Sequence, residues 1–268
     1  MFSYGDREVL KGISLDMGKG ITSVIGPNAA GKSTLMRCMA GLYDHSGTIS
    51  LDGKAVSDIP KQIAYMPQEM PEKTSLTVME VMLMGRLDRL RWKVCAEDIE
   101  AAYSTLEDMG IEEISSRRMN ELSGGQCQMV MVAQCLMRDP DLLLMDEPSN
   151  NLDLCRQLEM FETARTVAEE RGLLMVMVLH DINLASKYSD RIAVLSEGTV
   201  YGHGAPGEVI TEEMLRSVYG IHSKVTEDEY GLPHVHPKHS LRMHRRRTDT
   251  KSSVCAQSEY KEGFYEQS

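Results

Sequence analysis

Short apolar runs alternate with amphipathic stretches along most of the chain. Ile21-Thr22-Ser23-Val24-Ile25 has the length and bulk of a buried strand, and a Gly-rich turn leads from it into a helix over about 32–40. Gly47 to Leu51 reads as a strand that turns at Asp52-Gly53, a hairpin signal. Ile63-Ala64-Tyr65-Met66 is a further strand, stopped by Pro67. Helical patterning then runs from about 75 to 134. It opens with Thr77 and Glu80 at capping-box spacing and includes an amphipathic stretch from Ala96 to Met109. Leu142 to Met145 and Leu173 to Leu179 are continuous apolar runs of strand length, each followed by a helical pattern. Strands that alternate with helices predict an α/β fold with a mainly parallel sheet and helices on both faces. No strand interrupts about 69–135, so that block reads as an inserted helical subdomain. No internal repeat is present.

Composition sets the limits of this picture. A chain of 268 residues holds one large domain or two small ones. With 42% hydrophobic and 26% charged residues it builds a real core, which excludes wholesale disorder. The net charge of −11 argues against broad nucleic-acid binding, which needs a basic face. An aromatic content of 5% argues against stacked single-strand binding. Twenty methionines are flexible core fillers. The composition shifts near Val235. Residues 235–268 carry +3 and residues 1–234 carry −14, which divides the chain into a folded domain, 1–234, and a polar tail expected to be disordered. Arg245-Arg246-Arg247 reads as a solvated part of that tail. His234, His236, His239 and His244 offer imidazoles to a metal, but no Cys or carboxylate stands at ligand spacing beside them. The six cysteines, at 38, 95, 127, 135, 155 and 255, form no CxxC pair and read as buried reduced thiols of a cytosolic protein. The first residues lack the apolar core of a signal peptide, and no run approaches the length of a membrane span.

Gly26-Pro27-Asn28-Ala29-Ala30-Gly31-Lys32-Ser33 fits G-x-x-x-x-G-K-[ST], the P-loop pattern. Small residues let successive backbone N–H groups point inward around a phosphate at a helix N-terminus. Lys32 is placed to reach the β- and γ-phosphates, Ser33 to put its hydroxyl on Mg²⁺, and Thr34 to add a phosphate hydrogen bond. The pattern arises by chance in a chain of this length about once in a hundred. Leu142-Leu143-Leu144-Met145-Asp146-Glu147 is an apolar strand that ends in two acids. Asp146 suits a Mg²⁺ ligand through water, and Glu147 suits a general base for the attacking water. The same acids could instead cap the helix beyond Pro148.

Leu122-Ser123-Gly124-Gly125-Gln126 matches the LSGGQ signature of ABC-type ATPases. Over about 1–235 the chain resembles an ATP-binding subunit of an ABC transporter. That resemblance implies a P-loop NTPase core of RecA type with a small antiparallel β part and the helical insertion. It also implies the site: Tyr4 stacks on adenine, and 26–34 hold the phosphates. Gln68 is the Q-loop residue that senses Mg²⁺ and the membrane partner. Ser123, Gly124, Gly125 and Gln126 cover the nucleotide. Ser149-Asn150-Asn151-Leu152-Asp153 is the D-loop, and His180 contacts the γ-phosphate. The metal set is Ser33, Gln68 and Asp146; the catalytic set is Lys32, Glu147 and His180. In this family the signature covers the ATP held by the other subunit's P-loop, which implies a homodimer with two-fold symmetry. The cofactors implied are ATP and Mg²⁺. The further partners are integral-membrane permease subunits and, indirectly, an external substrate-binding protein. The expected location is peripheral, on the cytoplasmic side of the cell membrane, with no nucleic acid bound.

Gly85-Arg86-Leu87, Trp92, the run Val178 to Ala185, the segment Leu215 to Gly220 and Pro233-His234-Val235 resemble importers of iron–siderophore, haem and cobalamin complexes. Three positions depart from the family pattern. Only three residues stand before Tyr4, where the family's first strand normally lies, which leaves a sheet edge bare. Ala29 replaces a usual glycine, so a positive φ there costs energy. Cys127 replaces the Arg that commonly follows the signature. Two other readings compete with a transport motor. Soluble ABC ATPases of DNA repair or translation usually carry two ATPase units or a long coiled coil, and this chain has neither. The other is a truncated, non-catalytic nucleotide-binding module.

Overall fold

The computed structural model describes residues 1–56, 62–68, 74–87, 94–150 and 152–241. They form two compact units, divided between Val209 and Ile210. In the first unit the strands are β1 (Phe2–Tyr4), β2 (Arg7–Leu10), β3 (Gly20–Ile25), β4 (Ser50–Leu51), β5 (Lys54–Ala55), β6 (Ile63–Met66), β7 (Leu142–Asp146), β8 (Leu174–Val178), β9 (Arg191–Ser196) and β10 (Thr199–Gly204). Its helices are α1 (Lys32–Met39), α2 (Val78–Met84), α3 (Ala96–Asp108), α4 (Gly124–Leu136), α5 (Leu154–Arg171), α6 (Ile182–Tyr188) and α7 (Pro206–Val209).

Six strands make the central sheet in the order β10-β9-β3-β8-β7-β6. Every neighbour pair is parallel except β9–β10. All five residues of β7 are buried, as a strand covered on both faces must be. Leu142, Leu144, Val176, Val178 and Val24 pack with Leu35, Met36, Cys38 and Met39 of α1. Met36, Met66, Met82, Met145 and Met160 fill the interior. Small antiparallel pairs, β1–β2 and β4–β5, complete this unit. Asp52 and Gly53 both adopt positive φ between β4 and β5, as a two-residue turn that matches strand twist requires. Phe2–Tyr4 pairs with Arg7–Leu10, whereas Ile13 to Gly18 belongs to no strand.

Among the described residues between β6 and β7 there is no strand, only helices, turns and one isolated bridge between Thr77 and Arg118. Thr77 caps α2: its hydroxyl accepts from the Glu80 N–H at 3.2 Å, and the Glu80 carboxylate accepts from the Thr77 N–H at 2.7 Å. α2 packs on α3 and α4.

The second unit contains α8 (Glu212–Met214), a wide helical turn over Leu215–Tyr219, and an antiparallel hairpin of β11 (Ile221–Glu227) and β12 (Pro233–Ser240). Residues 235–240 are therefore an ordered strand and not the start of a disordered tail. His, Lys and Pro carry no apolar periodicity, yet alternate residues bury Pro233 and Val235 and leave the imidazoles on the wet face. Residues 242–268, with Arg245–Arg247 and His244, lie outside the described part. The thiols are not all buried: Cys38 and Cys135 are, but Cys95 and Cys155 are exposed. Each exposed one sits at a helix N-terminal end, Cys95 as the N-cap of α3 and Cys155 in the first turn of α5, where no core is available.

Candidate nucleotide site

Four chain segments meet because the strand order puts their ends side by side. Gly26 follows β3, Gln68 follows β6, Asp146 ends β7 with Glu147 after it, and His180 follows β8. These are the carboxyl ends of parallel neighbours, where open α/β sheets place their ligands.

The loop from β3 to α1 is held in an unusual backbone path. A Cβ at Gly26, where φ is 150°, would come within 2.2 Å of the Leu195 carbonyl oxygen, and one at Gly31, where φ is 100°, within 2.8 Å of the Leu10 side chain. Ala29 lies in the left-handed region at φ 64°, with its methyl exposed, as is neighbouring Asn28. Ala30 is buried and donates its N–H to the Pro27 carbonyl at 3.3 Å. Lys32 folds back over the loop. Its ammonium donates to the carbonyls of Gly26 at 2.9 Å and Pro27 at 3.1 Å. Burial lowers the Lys32 pKa, against the pull of Glu147 and Asp146.

Ser33 donates its hydroxyl to Asp146 Oδ1 at 3.1 Å, and the Tyr65 hydroxyl donates to Oδ2 at 3.4 Å. Burial pushes the Asp146 carboxyl above its usual range, the Ser33 hydrogen bond opposes this, and Glu147 adds to it. Glu147 sits at φ 55° and is 8% exposed. Its Oε2 accepts from Gln68 Nε2 at 2.6 Å and from Asn150 Nδ2. Its Oε1 is 2.5 Å from His180 Nε2. Gln68 therefore bonds to Glu147 and not to the Ser33–Asp146 pair. Asn150, Tyr65 and Arg37 complete a network that spacing did not single out. Arg37 donates to the Tyr43 hydroxyl at 2.9 Å, and the hydroxyls of Tyr65 and Tyr43 hold it firmly protonated.

Tyr4 is exposed at the end of β1, edge-on to Tyr43 and to Phe2. Its hydrogen bond to Tyr43 raises the Tyr4 pKa, while one with buried Thr34 opposes the shift.

The second small-residue motif behaves differently. Ser123 caps α4, accepting from the Gln126 N–H at 3.2 Å, while the Gln126 side-chain oxygen accepts from the Ser123 N–H at 3.1 Å. Ser123 and Gly124 are exposed, and a Cβ at Gly124 would meet nothing within 4 Å. Gly125 lies against Leu152, so the signature touches the segment that leads to Asp153, the N-cap of α5. Cys127 points its thiol toward the Met119 carbonyl at 3.5 Å.

The family model described as ABC transporter matches residues 10–150, more than half of the chain. The chain belongs to the ABC transporter family. An ABC transporter ATP-binding protein of Methanocaldococcus jannaschii is 36% identical over 243 residues, which span 88% of this chain and 94% of that protein. A petrobactin import ATP-binding protein of Bacillus anthracis is 38% identical, spanning 82% and 84%. A hemin import ATP-binding protein of Rhodopseudomonas palustris is 37% identical, spanning 81% and 84%. Among solved structures, a metal-chelate type ABC transporter in an inward-facing conformation superposes with a TM-score of 0.78 at 23% identity, over 89% of this chain and 94% of that one. A bacterial ABC transporter cassette solved as a dimer gives 0.65 at 26% identity, over 74% and 90%. The ABC chain is thus an ATP-binding and ATP-hydrolysing subunit with a P-loop NTPase fold. ABC cassettes of this kind act as dimers with membrane permease partners. Among the described residues no helix is long and apolar enough to cross a membrane.

The side chains present fit a phosphate-bound Mg²⁺. Ser33 and Asp146 offer adjacent hard oxygens, and this ion takes one or two protein ligands alongside nucleotide phosphates.

Proposed function

We propose that this ABC subunit is the motor of an importer for iron–siderophore or haem-type complexes, cobalamin being the third cargo of the same class. The observation that carries the catalytic part is the convergence of Gln68, Asn150 and His180 on the Glu147 carboxylate, beside the loop that holds Lys32. The names of the relatives support the siderophore and haem cargo.

In this reading ATP lies with its phosphates along the N–H groups of 26–34 and its adenine against Tyr4. Lys32 leaves the Gly26 and Pro27 carbonyls for the β- and γ-phosphates. Ser33 and Asp146 would hold Mg²⁺, which would supply charge neutralisation at the phosphates. Glu147 takes the proton of the attacking water. The Gln68 amide fixes the carboxylate from the side of the permease, and His180 orients it from the side of β8. The signature, Ser123 to Gln126, and Asp153 close over the nucleotide of the second subunit. The chain sits at the cytoplasmic face of the membrane beneath permease subunits, which receive cargo from an external binding protein.

Lys32→Ala tests the nucleotide half: steady-state hydrolysis should fall by about 10²–10³. Wild-type turnover in that variant overturns the site. Uptake assays in cells that lack the chain test the cargo, with a defect in iron–siderophore, haem or cobalamin uptake expected. A defect confined to free zinc or phosphate overturns it.

A further inference from the structure

The imidazoles near the end of the described chain take no part in the nucleotide site. The hairpin register brings them together. Thr226 stands opposite His234, Lys224 opposite His236, and His222 opposite His239. Opposed residues share a face, so His234, His236, His239 and His222 all line one side of the hairpin. The irregularity at Pro237-Lys238 returns His239 to that side.

Pro233-His234-Val235-His236-Pro237 is the organised part. Val235 is 4% exposed and pins the strand from the opposite face. Two prolines with fixed φ flank the run and reduce its backbone freedom. His234 and His236, two residues apart on a strand, project side by side. Their ring centroids are 4.7 Å apart with the planes tilted by 54°. His236 Nε2 lies 2.9 Å from the Thr226 hydroxyl. When Nε2–H donates to that oxygen, the lone pair of His236 is left on Nδ1. An outer hydrogen bond of this type sets the tautomer of metal-bound histidines. Lys224 across from His236 works against cation binding.

We infer that His234 and His236 form a two-toothed site for a divalent transition ion of the borderline class, with Zn²⁺ as the probe. Neutral imidazole suits such ions, and Mg²⁺, which prefers hard oxygens, is excluded. Among the described residues no three ligating side chains converge, so solvent fills the remaining positions and the ion stays open to exchange.

The test is zinc titration calorimetry on the full, tag-free chain with excess Mg²⁺ to occupy oxygen sites. His234→Ala/His236→Ala should weaken the site at least tenfold. Thr226→Val should weaken it by about tenfold, the usual size for loss of an outer-shell partner. Lys224→Gln should strengthen it, and His239→Ala should leave it within about twofold, the size of effect a histidine outside the chelate has on affinity. Unchanged zinc binding in the double variant overturns the assignment, as does a loss in His239→Ala equal to that of His236→Ala. Should the double variant not fold, nitrogen NMR of the histidine rings in the wild-type chain decides. Zinc-dependent shifts at His234 and at His236 Nδ1 support the site. Shifts only at His222 and His239, or none, overturn it.

Discussion

The P-loop end and the signature end of this ABC subunit are built from similar small residues and reach opposite outcomes. At the first, Lys32 is 6% exposed, Asp146 0% and Glu147 8%; Lys32 folds back on its own loop, and both carboxylates are bonded to distant segments of the same chain. At the second, Ser123 and Gly124 face solvent and the polar atoms of Ser123 and Gln126 bond to each other. The first region is closed by long-range contacts, and the second satisfies itself locally. A motif at a helix start that needs nothing from its own chain is suited to a ligand delivered by another. The comparison thus gives a structural reason to look for a shared site between two copies.

Glu147→Gln breaks the comparison most strongly. The amide keeps the size of the side chain but removes the base, and turnover should drop by about 10²–10⁴. The Ser33–Asp146 pair and both small-residue motifs stay intact, so ATP still binds and is not consumed. The two-copy form should then accumulate, with light scattering giving twice the subunit mass in saturating ATP. A single-subunit mass in ATP, with nucleotide tightly bound, would contradict the shared site.

Ser123→Ala probes the other end. Loss of the cap costs α4 about 0.5–2 kcal/mol. If the signature serves a second copy, hydrolysis should fall roughly tenfold or more, as for loss of a positioned donor, while ATP affinity of the lone subunit is unchanged. Fluorescent-nucleotide binding at low protein concentration, compared with turnover at high concentration, separates the two.

Much of the P-loop end was legible because its signals are local. The loop, the apolar run that ends at Asp146 and the Thr77–Glu80 cap each lie within a few residues. The partners of Glu147 were legible only in part. Gln68 is 79 positions away and His180 33, and the resemblance named both, with Asn150 in the D-loop, yet it gave none of their bonds to Glu147. Their meeting depends on β7 lying between β6 and β8, an order that local patterning does not encode. The same limit hid β12: its hydrophobic signal is Val235 with two prolines, and its pairing with β11 needs the turn between them.

The protonation of Asp146 offers a smaller effect. Its folded pKa is raised, mainly by burial. A group whose pKa rises on folding favours the folded state at low pH, and that contribution is lost as pH climbs from the ordinary carboxylate range through the folded value. The nucleotide-free Asp146→Asn variant should therefore melt above wild type at neutral pH, with the gap closing as pH falls into the carboxylate range. Calorimetric melting between these conditions checks the sign; a gap that widens toward acid would mean that the Ser33 and Tyr65 hydrogen bonds outweigh burial.

The smallest effect belongs to Ala29. A left-handed φ costs a residue with a Cβ roughly 1–2 kcal/mol. Glycine removes that strain but adds about 0.5–1 kcal/mol of unfolded-chain entropy. The methyl is exposed, so its loss leaves no cavity. Ala29→Gly should therefore stabilise the chain by about 0–1.5 kcal/mol, and its N–H stays in place for phosphate. The loop is already fixed by Gly26 against Leu195, Gly31 against Leu10 and Lys32 across two carbonyls. ATP affinity should then change by less than about twofold, the equivalent of well under 1 kcal/mol. Denaturant unfolding and nucleotide titration on the same preparation measure both quantities. A large gain in affinity would show that the strain at Ala29 holds the loop away from its phosphate-binding shape, and that this end of the molecule, like the signature, is completed only when nucleotide arrives.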